Sequence, residues 1–203
     1  MLSNTEGLVF RINQLTMSNL CIPYFEDDFI EHTFNTDLGS SGWLQKNGYD
    51  QQTIKKFRSA RNNLLFEAFK KSHPIKTSTL DFLSDIREDF RTCLVTNSYN
   101  KTFIQLPGSN ELARSFDAIA FREDYRQAKP APDAYLSALE KMRLSPHQVI
   151  VVEDSPRGIE AAKNASLKVV AIRNPEFPSL NLSKANFQIG RLEQLRNLVS
   201  KIQ

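Results

Sequence analysis

The chain has 203 residues and a formal net charge of only +3, because 26 lysines and arginines face 23 aspartates and glutamates. The basic residues are scattered, which argues against a nucleic-acid-binding arm, and the apolar runs are far shorter than the ~20 residues that span a membrane. Two cysteines, Cys21 and Cys93, provide no disulfide framework and fit a reducing compartment. Together with an N-terminus that lacks a signal-peptide pattern, these features predict a soluble, cytoplasmic protein.

Residues 7–74 carry no convincing strand pattern. Apolar side chains recur there at helical spacing, first at Leu8 and Ile12 and later around Ile54. This periodicity predicts amphipathic helices. We therefore expect an all-helical domain over residues 7–74, preceded by a short opening segment, residues 1–6.

From residue 75 onward, predicted strands alternate with predicted helices. Such alternation predicts a parallel sheet with right-handed crossovers. The core domain is therefore expected to be an α/β domain formed by residues 75–203 together with residues 1–6. The predicted strands are 92–96, 117–121, 148–153, 168–172 and 186–189, and the predicted helices are 78–89, 98–105, 132–143, 156–165 and 191–201.

The most informative stretch begins with the apolar run 149–152, which predicts a strand buried on both faces. Glu153 and Asp154 fall where this strand ends, and Ser155 and Pro156 suit the cap and first turn of the next helix. Adjacent carboxylates at the C-terminal edge of an open parallel sheet suit a hard cation, above all Mg²⁺, held together with a substrate phosphate. The alternative is a pair of exposed acids that only complement the helix dipole.

Two further segments favour a phosphate site. The predicted strand that ends at Thr96 is followed by Asn97, so that a hydroxyl group and the backbone N–H groups of the next turn could bind an anion. Lys129 lies between a loop and a proline-started helix. Taken singly, Thr96 could be a helix cap and Lys129 an ordinary surface lysine.

A hydroxyl, a lysine and paired acids in this order resemble motifs two, three and four of the haloacid dehalogenase superfamily, and the phosphatases and sugar-phosphate mutases around β-phosphoglucomutase are the most similar subgroup. The likeness covers nearly the whole chain. Its most specific part is Lys-Pro-Ala-Pro-Asp at 129–133 together with Glu-Asp-Ser-Pro-Arg-Gly at 153–158. The resemblance implies a Rossmannoid parallel sheet in which residues 7–74 form an inserted helical cap. Because the name-giving dehalogenases lack the acid pair, it also implies phosphate chemistry.

The resemblance assigns a role to each site residue. Thr96 and the Asn97 backbone N–H would bind phosphate, and Lys129 would neutralise the phosphate and its attacking group. Asp154 would bind Mg²⁺ directly or through water, supported by Glu153. The partner would be a small phosphorylated metabolite, with no nucleic acid or membrane involved, and family members of this size are often monomers.

The family's first motif, Asp-x-Asp at the end of the central strand, occurs nowhere in the 203 residues. Its first Asp attacks phosphorus and its second acts as acid and base. Residues 1–6 resemble the segment that comes directly after that motif, so we expect the first strand to be missing. Two hypotheses stay open. One is a Mg²⁺-dependent phosphohydrolase, a phosphatase or mutase by ancestry, that is inactive as written. The other is a non-catalytic relative that binds phosphate or a protein partner.

Overall fold

A computed structural model describes residues 5–36, 38–71 and 75–202. Most of the opening segment, which the sequence predicts to follow directly after the position of the first motif, therefore lies outside the described residues. The described residues divide into two compact units, one within Ser3–Pro74 and the other within Ile75–Gln203.

The first unit is built from helices throughout its described residues. Its buried side chains include Met17, Phe29, Leu44 and Phe57, each at most 1% exposed, as expected when amphipathic helices pack their apolar faces together. No helix among the described residues of either unit has the length and apolar character needed to cross a membrane. The elements of this unit are α1 (Glu6–Asn19), α2 (Glu26–Ile30), a π-helical turn (Glu31–Asn35), α3 (Gly39–Lys46) and α4 (Gln51–Lys71).

The second unit alternates strands and helices, and each of its strands overlaps a predicted one. One short helix, Ser109–Arg114, was not predicted. The strands are β1 (Cys93–Val95), β2 (Ala118–Ala120), β3 (Ile150–Glu153), β4 (Lys168–Ile172) and β5 (Phe187–Ile189). The helices are α5 (Thr77–Ile86), α6 (Asn100–Phe103), α7 (Ser109–Arg114), α8 (Asp133–Met142), α9 (Pro156–Asn164) and α10 (Gln194–Ile202).

The described strands form two parallel sheets, whereas the alternation of elements predicts one. β1 pairs with β2, and β3, β4 and β5 form a separate sheet in that order. Glu153, at the end of β3, lies opposite Ala171 of β4. Within the described part of the chain, β1 and β3 therefore each have a strand partner on one side only, as do β2 and β5.

The burial of a strand depends on whether it has a partner on one side or on both. In β4, which has a partner on each side, Val169, Val170 and Ala171 are fully buried. All three residues of β1 are only half-buried, as are Ile150 and Val152 of β3. The apolar side chains of β1 and β3 thus keep partial contact with solvent, although their composition predicts a strand buried on both faces.

The two sheets nevertheless belong to one α/β unit. One apolar cluster is centred on β4, β5 and α10, and a second on α5, α6 and α7, with Leu94 of β1 packed against it. Phe82 of α5 packs against both clusters. α8 contacts β1 and β2 and also α9. Helices α5 and α8 therefore hold the two sheets in a common core.

Candidate active site

The turn from β3 into α9 presents the two predicted acids. Ser155 is the N-cap of α9, and its hydroxyl oxygen accepts a hydrogen bond of 3.1 Å from the Gly158 N–H. Pro156 occupies the first helical position, where its missing N–H costs nothing. This cap ends β3 and fixes the direction in which Glu153 and Asp154 leave the strand.

Glu153 is not an exposed acid at a helix terminus but part of a buried cluster. Its Oε1 accepts hydrogen bonds of 2.5 Å from Lys129 Nζ and of 2.5 Å from the Tyr135 hydroxyl. Lys129 Nζ also lies 3.2 Å from the Tyr135 oxygen. Lys129 and Glu153 are 8% and 7% exposed, so the charges of this pair are compensated inside the protein. Lys129 is therefore not an ordinary surface lysine.

The second carboxylate oxygen of Glu153 is also engaged. Its Oε2 accepts hydrogen bonds from the Ser155 hydroxyl at 3.1 Å and from the Asp154 N–H at 3.2 Å. Burial by itself would raise the pKa of Glu153, but the Lys129 ammonium and the hydrogen bonds from Lys129, Tyr135 and Ser155 outweigh it and lower that pKa. Glu153 is therefore held as a carboxylate.

The pKa of Tyr135 shifts in the opposite direction from that of Glu153. Its complete burial and the adjacent Glu153 carboxylate raise the pKa of its phenol well above the ordinary value. The phenol therefore stays protonated and donates its hydrogen bond to Glu153. Sequence reasoning did not identify Tyr135 as a site residue, although it stands six positions after Lys129 and two after the end of the 129–133 motif.

The backbone of Lys129 is fixed independently of its side chain. Arg157, which is only 8% exposed, donates to the Lys129 carbonyl oxygen from Nε at 3.0 Å and from Nη2 at 2.7 Å. This two-pronged contact joins the loop of Lys129 to the first turn of α9. Lys129 is thus held at its backbone carbonyl by Arg157 and at its ammonium group by Glu153.

The absence of a side chain at Gly158 leaves room for the Glu153 carboxyl group. A Cβ atom at position 158 would overlap the carboxyl carbon and both oxygens of Glu153. By contrast, a Cβ atom at Gly190 would lie 3.6 Å from its nearest neighbour, Gln194 Oε1, an ordinary contact. The buried acid therefore requires a residue without a side chain on the facing turn of α9.

We expect Gly158→Ala to lower the free energy of unfolding by about 1–3 kcal/mol, because the added methyl group forces the Glu153 carboxylate out of its hydrogen bonds. Chemical denaturation measures this difference. Gly190→Ala is the matched control and should change stability by no more than about 0.5 kcal/mol. Equal effects of the two substitutions would contradict the close packing of Gly158 against Glu153.

The second predicted segment forms a turn directly after β1. The Thr96 hydroxyl oxygen accepts a hydrogen bond of 3.1 Å from the Ser98 N–H, which leaves the hydroxyl proton available for an acceptor such as a phosphate oxygen. Tyr125, a buried residue that sequence reasoning missed, places its hydroxyl 2.9 Å from the Thr96 carbonyl oxygen and 2.8 Å from Asn97 Oδ1. Thr96 is half-buried and Asn97 exposed.

The structure therefore arranges the predicted residues in two groups. Lys129 and Glu153 are in direct contact and Asp154 comes next in the chain, while Thr96 and Asn97 share the contact with Tyr125. Both groups lie at the carboxyl ends of parallel strands, where open α/β sheets place their ligands.

Glu153 and Asp154 differ in how well each could coordinate Mg²⁺. Both oxygens of Glu153 are engaged by protein donors, so Glu153 suits a supporting position better than direct coordination. Asp154 is half-buried and would supply a carboxylate to a Mg²⁺ ion held together with substrate phosphate and water. The described residues contain no cluster of three or more histidines, cysteines and acids that could hold a metal on its own.

The chain belongs to the haloacid dehalogenase-like hydrolase family, whose family model matches residues 1–172. A phosphorylated carbohydrates phosphatase of Thermotoga maritima is 26% identical over 156 residues, which cover 74% of this chain and 70% of that protein. The family predicted from the motifs is thereby confirmed.

Solved structures show the same fold at low sequence identity. CbbY from Rhodobacter sphaeroides in complex with phosphate is 20% identical, with a TM-score of 0.73 over 96% of this chain and 92% of that one. The hydrolase YfnB from Bacillus subtilis, bound to magnesium, is 19% identical, with a TM-score of 0.65 over 97% and 93%. These likenesses confirm the predicted α/β fold class.

Proposed function

We propose that this chain carries the site of a Mg²⁺-dependent phosphohydrolase that acts on a small phosphorylated metabolite, either a phosphomonoester phosphatase or a relative of the sugar-phosphate mutases. The observation that carries the proposal is the buried Lys129–Glu153–Tyr135 cluster beside Asp154 at the carboxyl edge of β3. Two of the similar proteins, a phosphatase of phosphorylated carbohydrates and CbbY in complex with phosphate, support this substrate class.

In this proposal each residue has one task. Thr96 donates its hydroxyl proton to a phosphate oxygen, and the Asn97 N–H donates beside it. Lys129 supplies positive charge to the phosphate and its attacking group, which is the main form of catalysis in phosphoryl transfer. Asp154 binds Mg²⁺, and Glu153 holds Lys129 and the Asp154 backbone in place. The helical unit is proposed to be a cap that selects the substrate.

The remaining task, attack on phosphorus, has no candidate among these residues. Glu153 is buried and bonded at both oxygens, and no Asp-x-Asp occurs in the sequence. Thr96 and Lys129 cannot replace an aspartyl nucleophile. We therefore propose that a polypeptide of these 203 residues is inactive. We further propose that the protein is a cytoplasmic monomer.

The second candidate function is a non-catalytic phosphate- or protein-binding relative. It is favoured by the same observation, because the lysine and the turn after β1 can bind an anion without any nucleophile. Both functions predict that the 203-residue protein itself does not turn over substrate, and they differ in whether an added Asp-x-Asp strand creates hydrolysis.

The purified 203-residue protein is expected to hydrolyse phosphomonoesters no faster than the buffer background with Mg²⁺ present, because the sequence contains no Asp-x-Asp and neither Thr96 nor Lys129 can replace an aspartyl nucleophile. Release of inorganic phosphate from p-nitrophenyl phosphate and a panel of sugar phosphates measures this. A robust rate that Asp154→Asn abolishes would overturn the proposed inactivity and require a different nucleophile.

A further inference from the structure

The loop after β2 forms several hydrogen bonds with the turn after β1. The Arg122 N–H donates to the Ser98 carbonyl oxygen at 3.1 Å, and the Glu123 carboxylate accepts from the Asn100 N–H at 3.1 Å. The Tyr125 hydroxyl completes these contacts at Thr96 and Asn97. The proposed phosphate-binding turn is thus held by a second loop that lies more than twenty residues further along the chain.

Tyr125 is itself held in place. Its side chain is 8% exposed, and the Arg122 guanidinium lies 5.2 Å from the centre of its ring, within the range of a cation–π contact. Arg122 also donates from Nη1 to the Tyr125 carbonyl oxygen at 2.9 Å. The phenol therefore approaches the turn from a fixed direction, and it brings one proton to two acceptors.

The consequence for phosphate lies in the geometry of one peptide unit. The Thr96 carbonyl and the Asn97 N–H belong to the same planar peptide, in which the two groups point in opposite directions when the bond is trans. Since Tyr125 engages the Thr96 oxygen, the Asn97 N–H points away from Tyr125. We propose that Tyr125 is a positioning residue that aims the Asn97 N–H at the phosphate, an inference that rests on the proposed function.

Tyr125→Phe tests this assignment because it removes one oxygen atom and keeps the ring. With inorganic phosphate as the probe and the full 203-residue protein, we expect the variant to bind phosphate about tenfold more weakly, the scale of one lost hydrogen bond. In wild-type protein the Asn97 amide proton should shift on phosphate addition in an NMR titration. In the variant this shift should be lost.

The matched control is Tyr99→Phe. Tyr99 adjoins the same turn, but it is 49% exposed. Removing its hydroxyl group should change neither the affinity for phosphate nor the shift of the Asn97 amide proton. A merely structural role of Tyr125 would lower thermal stability and leave the Asn97 response to saturating phosphate intact, and that result overturns the assignment.

The outcomes also separate this inference from the proposed function. If the wild-type and Tyr125→Phe proteins bind phosphate equally, with the same Asn97 shift, the positioning role is wrong and the phosphate site stands. If the wild-type protein binds no phosphate, the proposed site itself is wrong, and the role of Tyr125 is refuted with it.

Discussion

Replacing Lys129 with methionine is expected to lower the free energy of unfolding by about 3–5 kcal/mol, because it leaves the buried Glu153 carboxylate without its counter-charge. Methionine keeps most of the side-chain volume, so that the loss reports the charge and not a cavity. Chemical denaturation of the two proteins at neutral pH measures the difference. A loss of this size would be a large fraction of the stability of a typical domain.

Two further variants test the cause of that loss. Lys184→Met removes an ion pair with Glu160 in which both side chains are well exposed, and it should cost no more than about 1 kcal/mol. Adding Glu153→Gln to Lys129→Met removes the unpaired charge and should restore part of the stability. A double variant as unstable as Lys129→Met alone would show that the charge pair is not what stabilises this region.

The effect of Lys129→Met should also depend on pH. In the wild-type protein the pKa of Glu153 is lowered in the folded state, so its contribution to stability is present above the unfolded pKa of about 4.3. That contribution is lost as the pH falls through the lower folded pKa. Without Lys129, burial raises the pKa of Glu153 instead, and acidification removes the penalty. The stability difference between the two proteins should therefore shrink as the pH falls below neutrality.

Adding an apolar strand that ends in Asp-x-Asp-Gly ahead of Met1 is expected to create Mg²⁺-dependent phosphatase activity at least about 100-fold above the background of the 203-residue protein. The strand would pair with the singly paired β1 and β3 and cover side chains that are now half-buried, such as Leu94 and Val152. Its carboxylates would then emerge at the edge that carries Thr96 and Asp154. Phosphate release and thermal melting measure the two effects.

The same extension should raise the melting temperature by at least about 5 °C, since each kcal/mol is worth about 2–4 °C in a chain of this size. The control is an extension that ends in Asn-x-Asn-Gly, which should stabilise the protein equally and leave it inert. If the Asp-x-Asp extension stabilises the protein and yet hydrolyses nothing, the phosphohydrolase proposal fails and the non-catalytic binding function is favoured. If it gives no stabilisation, the added strand does not pair with β1 and β3.

Local patterns in the sequence determined the elements that flank the site. The apolar run before Glu153 forms β3, and Ser155 and Pro156 cap α9 as predicted. Such signals succeed because strand alternation, caps and helix starts depend on residues a few positions apart. The six-residue helix α7 was not predicted.

The tertiary structure decided which side chains meet. Lys129 and Glu153 are 24 positions apart, Tyr135 and Glu153 are 18 apart, and Arg157 lies 28 positions from the carbonyl that it binds. No local pattern encodes such contacts, because they arise only when separate strands and helices pack side by side. For the same reason the sequence could name Glu153 as a metal-site acid, but only the fold shows that Lys129, Tyr135 and Ser155 engage its oxygens.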